Sequence, residues 1–146
     1  MKLKFIFLGK KGSSQIEFMI NKYLKRLNSY IQTECFYVNN QSSCKSDKKI
    51  LLLKRPNDCL IILDERGLEL NTLEYSRFLQ KNISNYSSLF FIVGGADGVS
   101  DYLTQKANHL IALSKMTLPH LMARLMIVEQ TYRSFTIFNN HPYHHE

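Results

Sequence analysis

Hydrophobic spacing along the chain switches repeatedly between strand-like alternation or short apolar runs and a period of three to four, the signature of strands interleaved with helices. Lys2 to Leu8 reads as a first strand. After Gly9-Lys10-Lys11-Gly12-Ser13, the positions Ile16, Met19, Ile20, Tyr23, Leu24 and Leu27 fall on one face of an amphipathic helix, with Lys22, Lys25 and Arg26 on the other. Thr33 to Val38 predicts a second strand, Asn39 to Ser46 a polar, turn-rich stretch, and Asp47 to Lys54 a short helix. Cys59-Leu60-Ile61-Ile62-Leu63 has the unbroken apolar character of a central parallel strand, and Asp64-Glu65-Arg66-Gly67 is expected to turn out of it.

Asn71 or Thr72 suits the cap of a helix whose apolar positions are Leu73, Tyr75, Phe78, Leu79 and Ile83. Leu89 to Val93 predicts a fourth strand, Ser100 the cap of a short helix reaching Ala107, and His109 to Leu113 a fifth strand. Pro119 sits at the first turn of a final helix, where its missing N–H costs nothing. Leu121, Met122, Leu125, Met126, Val128, Glu129 and Tyr132 carry that helix on, before Phe135-Thr136-Ile137-Phe138 and a polar tail to Glu146. The expected fold is α/β: one domain over residues 1–146, with a mainly parallel sheet of five or six strands and helices on both faces.

Charge adds a partner class. The net charge of +7 over 146 residues points to an acidic partner such as nucleic acid, general basicity being the alternative. The densest basic stretch is Lys45, Lys48, Lys49, Lys54 and Arg55. Cys35, Cys44 and Cys59 are odd in number and form no C-x-x-C pair, which argues against a disulfide framework or a zinc ribbon and fits a reducing cytoplasm. The apolar part of the N-terminal segment is shorter than a signal-peptide core, and no apolar run approaches the roughly 18 residues that span a bilayer, so no membrane partner is expected.

Candidate chemistry concentrates in two loops. Gly94-Gly95-Ala96-Asp97-Gly98 places three glycines in five residues at the end of an apolar strand, where main chain can approach a ligand with no side chain between. The spacing matches neither G-x-G-x-x-G nor G-x-x-x-x-G-K-[ST]. Ser114-Lys115-Met116-Thr117-Leu118-Pro119-His120 is a second loop about 20 residues on, and the pair predicts one small-molecule site at strand ends. His141-x-x-His144-His145 has a spacing that can ligate zinc, but lacks any supporting Cys or Asp, and no metal is expected.

G-G-A-D-G after a strand, L-S-K-M-T-L-P-H before a helix, E-Q-T-Y-R within it and the ending N-H-P-Y-H together resemble the small bacterial SPOUT-class methyltransferases that methylate a pseudouridine of 23S ribosomal RNA at ring nitrogen 3. The resemblance implies a C-terminal trefoil knot, a homodimer whose active site is completed by the partner subunit, S-adenosylmethionine as cofactor, and the ribosome as substrate. Carried over by motif, the cofactor site comprises Leu63, Gly94, Gly95, Leu113, Ser114, Lys115, Met116, Thr117 and Leu118. The catalytic candidates are His144, His145, Tyr143 and Arg133, with Arg124 and His141 also considered. His145 stands where the family commonly has arginine, and a histidine replaces that donor only in part. A non-catalytic ribosome-binding or assembly factor that keeps the pocket is the alternative function. A flavodoxin-like nucleotide-binding protein using Gly9 to Ser13 is a weaker one.

Overall fold

The computed structural model describes residues 1–39 and 43–145; the polar stretch expected at 40–42 and the terminal Glu146 lie outside the described residues. The elements run β1 (Lys2–Leu8), α1 (Ser14–Asn28), β2 (Thr33–Val38), α2 (Ser43–Leu53), β3 (Asp58–Glu69), α3 (Thr72–Asn85), β4 (Ser88–Val93), α4 (Asp101–Gln105), β5 (His109–Ala112) and α5 (His120–Phe138). The strands form a five-stranded sheet in the order β2-β1-β4-β3-β5, every ladder parallel.

Because successive strand side chains point to opposite faces, the apolar strands supply two cores at once. Leu3, Phe5, Phe7, Cys59, Ile61, Leu89, Phe91 and Val93 meet residues of α1, α3 and α5 on one face. Ile6, Leu8, Leu60, Ile62, Phe90 and Ile92 meet α2 and α4 on the other. The rings of Phe5 and Phe91 stack across neighbouring strands at 5.1 Å, and each fully buried ring contributes roughly 1.5–3 kcal/mol by leaving water.

The expected boundaries shift in four places. β3 does not end at Leu63: Asp64 to Gly67 are looped out as a bulge, and the strand re-pairs with β5 through Leu68 and Glu69. α5 absorbs Phe135 to Phe138, since Val128, Thr131, Tyr132 and Phe135 extend one buried helical stripe. The sheet therefore has five strands among the described residues, and nothing in Phe135–Phe138 supplies a sixth. α2 begins four residues earlier than expected, and α4 occupies only Asp101–Gln105 behind its Ser100 cap. Asn71 caps α3, with Glu74 returning the contact in a capping box.

Arg124 of α5 is the largest fully buried side chain. Its guanidinium donates to the carbonyls of Leu8 at 2.8 Å and Lys10 at 2.9 Å and lies over the rings of Phe7 and Tyr37. Tyr37 in turn donates to Glu17, whose other oxygen accepts from Gly12 N at 2.9 Å. The arginine thus ties α5 to the loop after β1, and its burial keeps it from facing a substrate. That corrects its place among the catalytic candidates.

Candidate functional site

The chain leaves β3 toward α3 on one face of the sheet and leaves β4 toward α4 on the other. Diverging connections of this kind open a crevice at the carboxyl ends of parallel strands. Here the crevice is a cleft of about 350 Å³ between the ends of β3, β4 and β5, within the size range of small-ligand sites.

The glycine loop forms one wall. Gly98 N donates to Gly95 O at 3.0 Å, and Gly98 has φ of +73°, a conformation that favours glycine. A Cβ on Gly94 would lie 2.7 Å from the carbonyl carbon of Gly98, and one on Gly95 would lie 2.8 Å from Leu8 O. Gly94 therefore lets the loop close on itself. Gly94→Val is expected to break that closure and lose ligand binding with it. At Gly98 a Cβ meets nothing within 4 Å, and asparagine tolerates positive φ, so Gly98→Asn is the cleaner probe. Its melting temperature should stay close to the parent's while its Kd for the ligand rises about tenfold. An unchanged Kd in calorimetry would remove Gly98 from the wall.

The second loop faces the first. Of the nine residues expected to hold cofactor, Leu63, Gly94, Gly95, Leu113, Ser114, Met116 and Leu118 line the cleft. Lys115 and Thr117 are exposed and are not among the lining residues; they flank Met116 in a tight turn in which Ser114 Oγ accepts from Met116 N at 2.9 Å. Val93, Val99, Ala112 and Ala123 add apolar wall, and His120 also lines the cleft. Asp64, Glu65 and Arg66 of the β3 bulge complete the rim. Sequence reading missed these three by treating the segment as a turn. The available signal was a charged cluster directly after a central apolar strand, where ligand-facing loops of parallel sheets lie.

The tail residues gather elsewhere on the molecule. Glu129 Oε1 accepts from Arg133 Nε at 3.0 Å, from its Nη2 at 2.6 Å and from the Tyr143 hydroxyl at 2.9 Å. Arg133 Nη1 lies 3.1 Å from His144 Nδ1, and its guanidinium covers the Tyr143 ring at 4.7 Å. Arginine only donates, so Nδ1 accepts and the ring proton of His144 sits on Nε2. That Nε2 is buried and has no partner among the described residues. Burial, together with the hydrogen bonds to Tyr23 and Glu129, pushes the Tyr143 phenol well above its ordinary range. His141 and His145 are exposed. Glu129 and Arg133 lie six and ten residues beyond Ala123 on α5, which sets this cluster about 9 to 15 Å from the cleft of the same chain along the helix. Glu129, the hub of the cluster, was legible only as part of E-Q-T-Y-R and not as a partner of the tail.

A cleft at the switch point of a parallel α/β sheet, walled by apolar side chains and glycine main chain and rimmed by charge, defines a protein that takes a small ligand across its strand ends. A family described as predicted SPOUT methyltransferase matches residues 1–144, and the chain belongs to that family. It is similar over its whole length to proteins named ribosomal RNA large subunit methyltransferase H. The one from Parabacteroides distasonis is 39% identical over 157 aligned positions covering 100% of both chains. That from Flavobacterium psychrophilum is 38% identical with the same coverage, and that from Geotalea daltonii 35%, covering 99% of this chain and 100% of the relative. Among solved structures, a probable methylase family protein from Haemophilus influenzae superposes with a TM-score of 0.59 at 12% identity, over 99% of this chain and 70% of that one. The SpoU methyltransferase AviRb from Streptomyces viridochromogenes gives 0.54 at 12% identity, over 95% and 61%. These two likenesses concern the fold.

Proposed function

We propose that the protein transfers a methyl group from S-adenosylmethionine to ring nitrogen 3 of a pseudouridine in 23S ribosomal RNA, acting on the assembled ribosome as a homodimer with a knotted C-terminal segment. The observation that carries this reading is the end-to-end likeness, at 39% identity, to a protein named for methylating large-subunit ribosomal RNA. The residues present fit the cofactor. Leu63, Leu113 and Leu118 offer apolar walls to a flat base, and loop main chain offers donors and acceptors to its edge. When bound, S-adenosylmethionine supplies a methyl group on a sulfonium that is already electrophilic.

The chain's own residues then have to position the nucleophile and manage one proton. The imide N–H of the base is lost during attack. Arg133 cannot accept it. Tyr143, its phenol pushed up and donating to Glu129, stays protonated. His144, held by Arg133 through Nδ1, presents Nε2–H as a donor suited to the charge that develops on the base. His145 and water remain as acceptors. The separation between cleft and tail cluster, about 15 Å along α5 for Arg133, supports a composite site in which the tail of one subunit meets the cleft of the other. Met122 and Met126, apolar yet exposed on α5, suit the contact between subunits.

The test is transfer of a labelled methyl group to unmodified ribosomes, separate subunits and naked RNA, with the product nucleoside identified by mass spectrometry. Methylpseudouridine in ribosomes alone is the expected result. No transfer to any of them, with cofactor bound, would leave a non-catalytic ribosome-binding protein. Exposed Lys10, Lys11, Lys45, Lys48 and Lys49 should also make ribosome affinity fall steeply with salt, on the order of a hundredfold between 50 and 200 mM. A flat salt profile would separate the basic surface from RNA binding.

A further inference from the structure

The β3 bulge puts a carboxylate and a guanidinium side by side at the mouth of the cleft. Leu63 and Leu68 both pair with Ile111, so the four residues between them are extruded opposite a single position of β5. Gly67 closes the bulge: a Cβ there would lie 2.6 Å from Ile111 N and from the carbonyl carbon of Leu110, a space no other residue fits. Within the bulge Asp64 Oδ1 accepts from Arg66 N at 2.8 Å and from its Nε at 3.0 Å, and Oδ2 accepts from its Nη2 at 2.8 Å. The Arg66 side chain is 67% exposed. An ion pair this open, between residues two apart, adds little to stability. Folding therefore does not account for an interrupted central strand that holds opposite charges over a cleft.

We propose that Asp64 and Arg66 are the receptor for the amino-acid end of the cofactor, Arg66 taking the carboxylate and Asp64 the ammonium. The inference rests on reading the cleft as the S-adenosylmethionine site. Beyond the glycines, the rest of the wall is mostly apolar, which matches a nucleoside; the rim pair matches a zwitterion. Arginine's planar fork suits bidentate recognition of a carboxylate, and the exposed side chain can exchange its contact with Asp64 for the ligand's. The hydrogen bonds from Arg66 hold the Asp64 carboxyl below its ordinary range, so it stays ionised. Donor and product share the zwitterion and differ at sulfur. The pair therefore binds both alike, which sets KM and leaves kcat unchanged.

Isothermal titration of the full chain with S-adenosylhomocysteine and with 5′-methylthioadenosine, which lacks the amino-acid end, tests this. The parent protein should bind the first more tightly. Arg66→Gln and Asp64→Asn should each weaken S-adenosylhomocysteine about tenfold and leave methylthioadenosine within about twofold. Equal losses on both ligands, or none on either, would overturn the receptor while leaving the cofactor reading in place. A parent protein that binds neither ligand would overturn both.

Discussion

Glu129→Ala is expected to lower the rate of methyl transfer by about a hundredfold, with cofactor Kd within about twofold of the parent. The carboxylate accepts from Arg133 twice and from Tyr143 once, and Arg133 in turn fixes His144 through Nδ1. Removing it frees three side chains whose placement the proposed chemistry needs, while Glu129 itself lies six residues, about 9 Å along α5, beyond Ala123 of the cleft wall. Single-turnover transfer to ribosomes measures the first quantity and calorimetry the second. A rate close to the parent's would take the tail network out of the reaction. A parallel loss of cofactor affinity would show that the variant disturbs the fold or the dimer instead. Glu129→Asp, which keeps the charge but shortens the reach, should fall between the two.

Arg124→Ala is expected to cost about 3 kcal/mol of unfolding free energy, through two lost charge-assisted hydrogen bonds and a cavity beneath α5. The carbonyls of Leu8 and Lys10 lose their donors, and the rings of Phe7 and Tyr37 lose a covering plane. For a domain of this size the melting temperature should drop by roughly 10 °C. Arg124→Met keeps much of the volume and the apolar stem, so it should recover part of the loss. Denaturant melts of the three proteins check this. A loss below about 1 kcal/mol for the alanine variant would mean that the buried cation costs nearly as much to desolvate as its contacts return.

The sheet was legible because its strands are locally self-declaring. Leu89 to Val93 and Cys59 to Leu63 are unbroken apolar runs bounded by polar residues or glycine, and Pro119, through its missing N–H, and Asn71, through its capping side chain, mark helix starts locally. Seven of nine expected cofactor residues share one cleft because the two loops that carry them follow β4 and β5, and parallel strands bring their carboxyl ends to the same edge. Lys115 and Thr117 are not among the residues lining it: a motif transfers a loop as a block, whereas the turn at Ser114 leaves both exposed.

What the chain's own pattern determined is the sequence of elements, the position of the two loops and the identity of the tail residues, since each depends on neighbours within a few positions. The tertiary structure decided three other things. It buried Arg124, whose partners lie more than a hundred residues away, and so removed it from the catalytic candidates. It converted an expected turn into a strand bulge, because Leu68 and Glu69 find pairing partners on a strand some forty residues downstream. And it placed the tail cluster far from the cleft of its own chain, because the rigid rise of α5 separates them. Each outcome is set by a long-range contact or by the length of a rigid element, quantities to which local hydrophobic periodicity is blind.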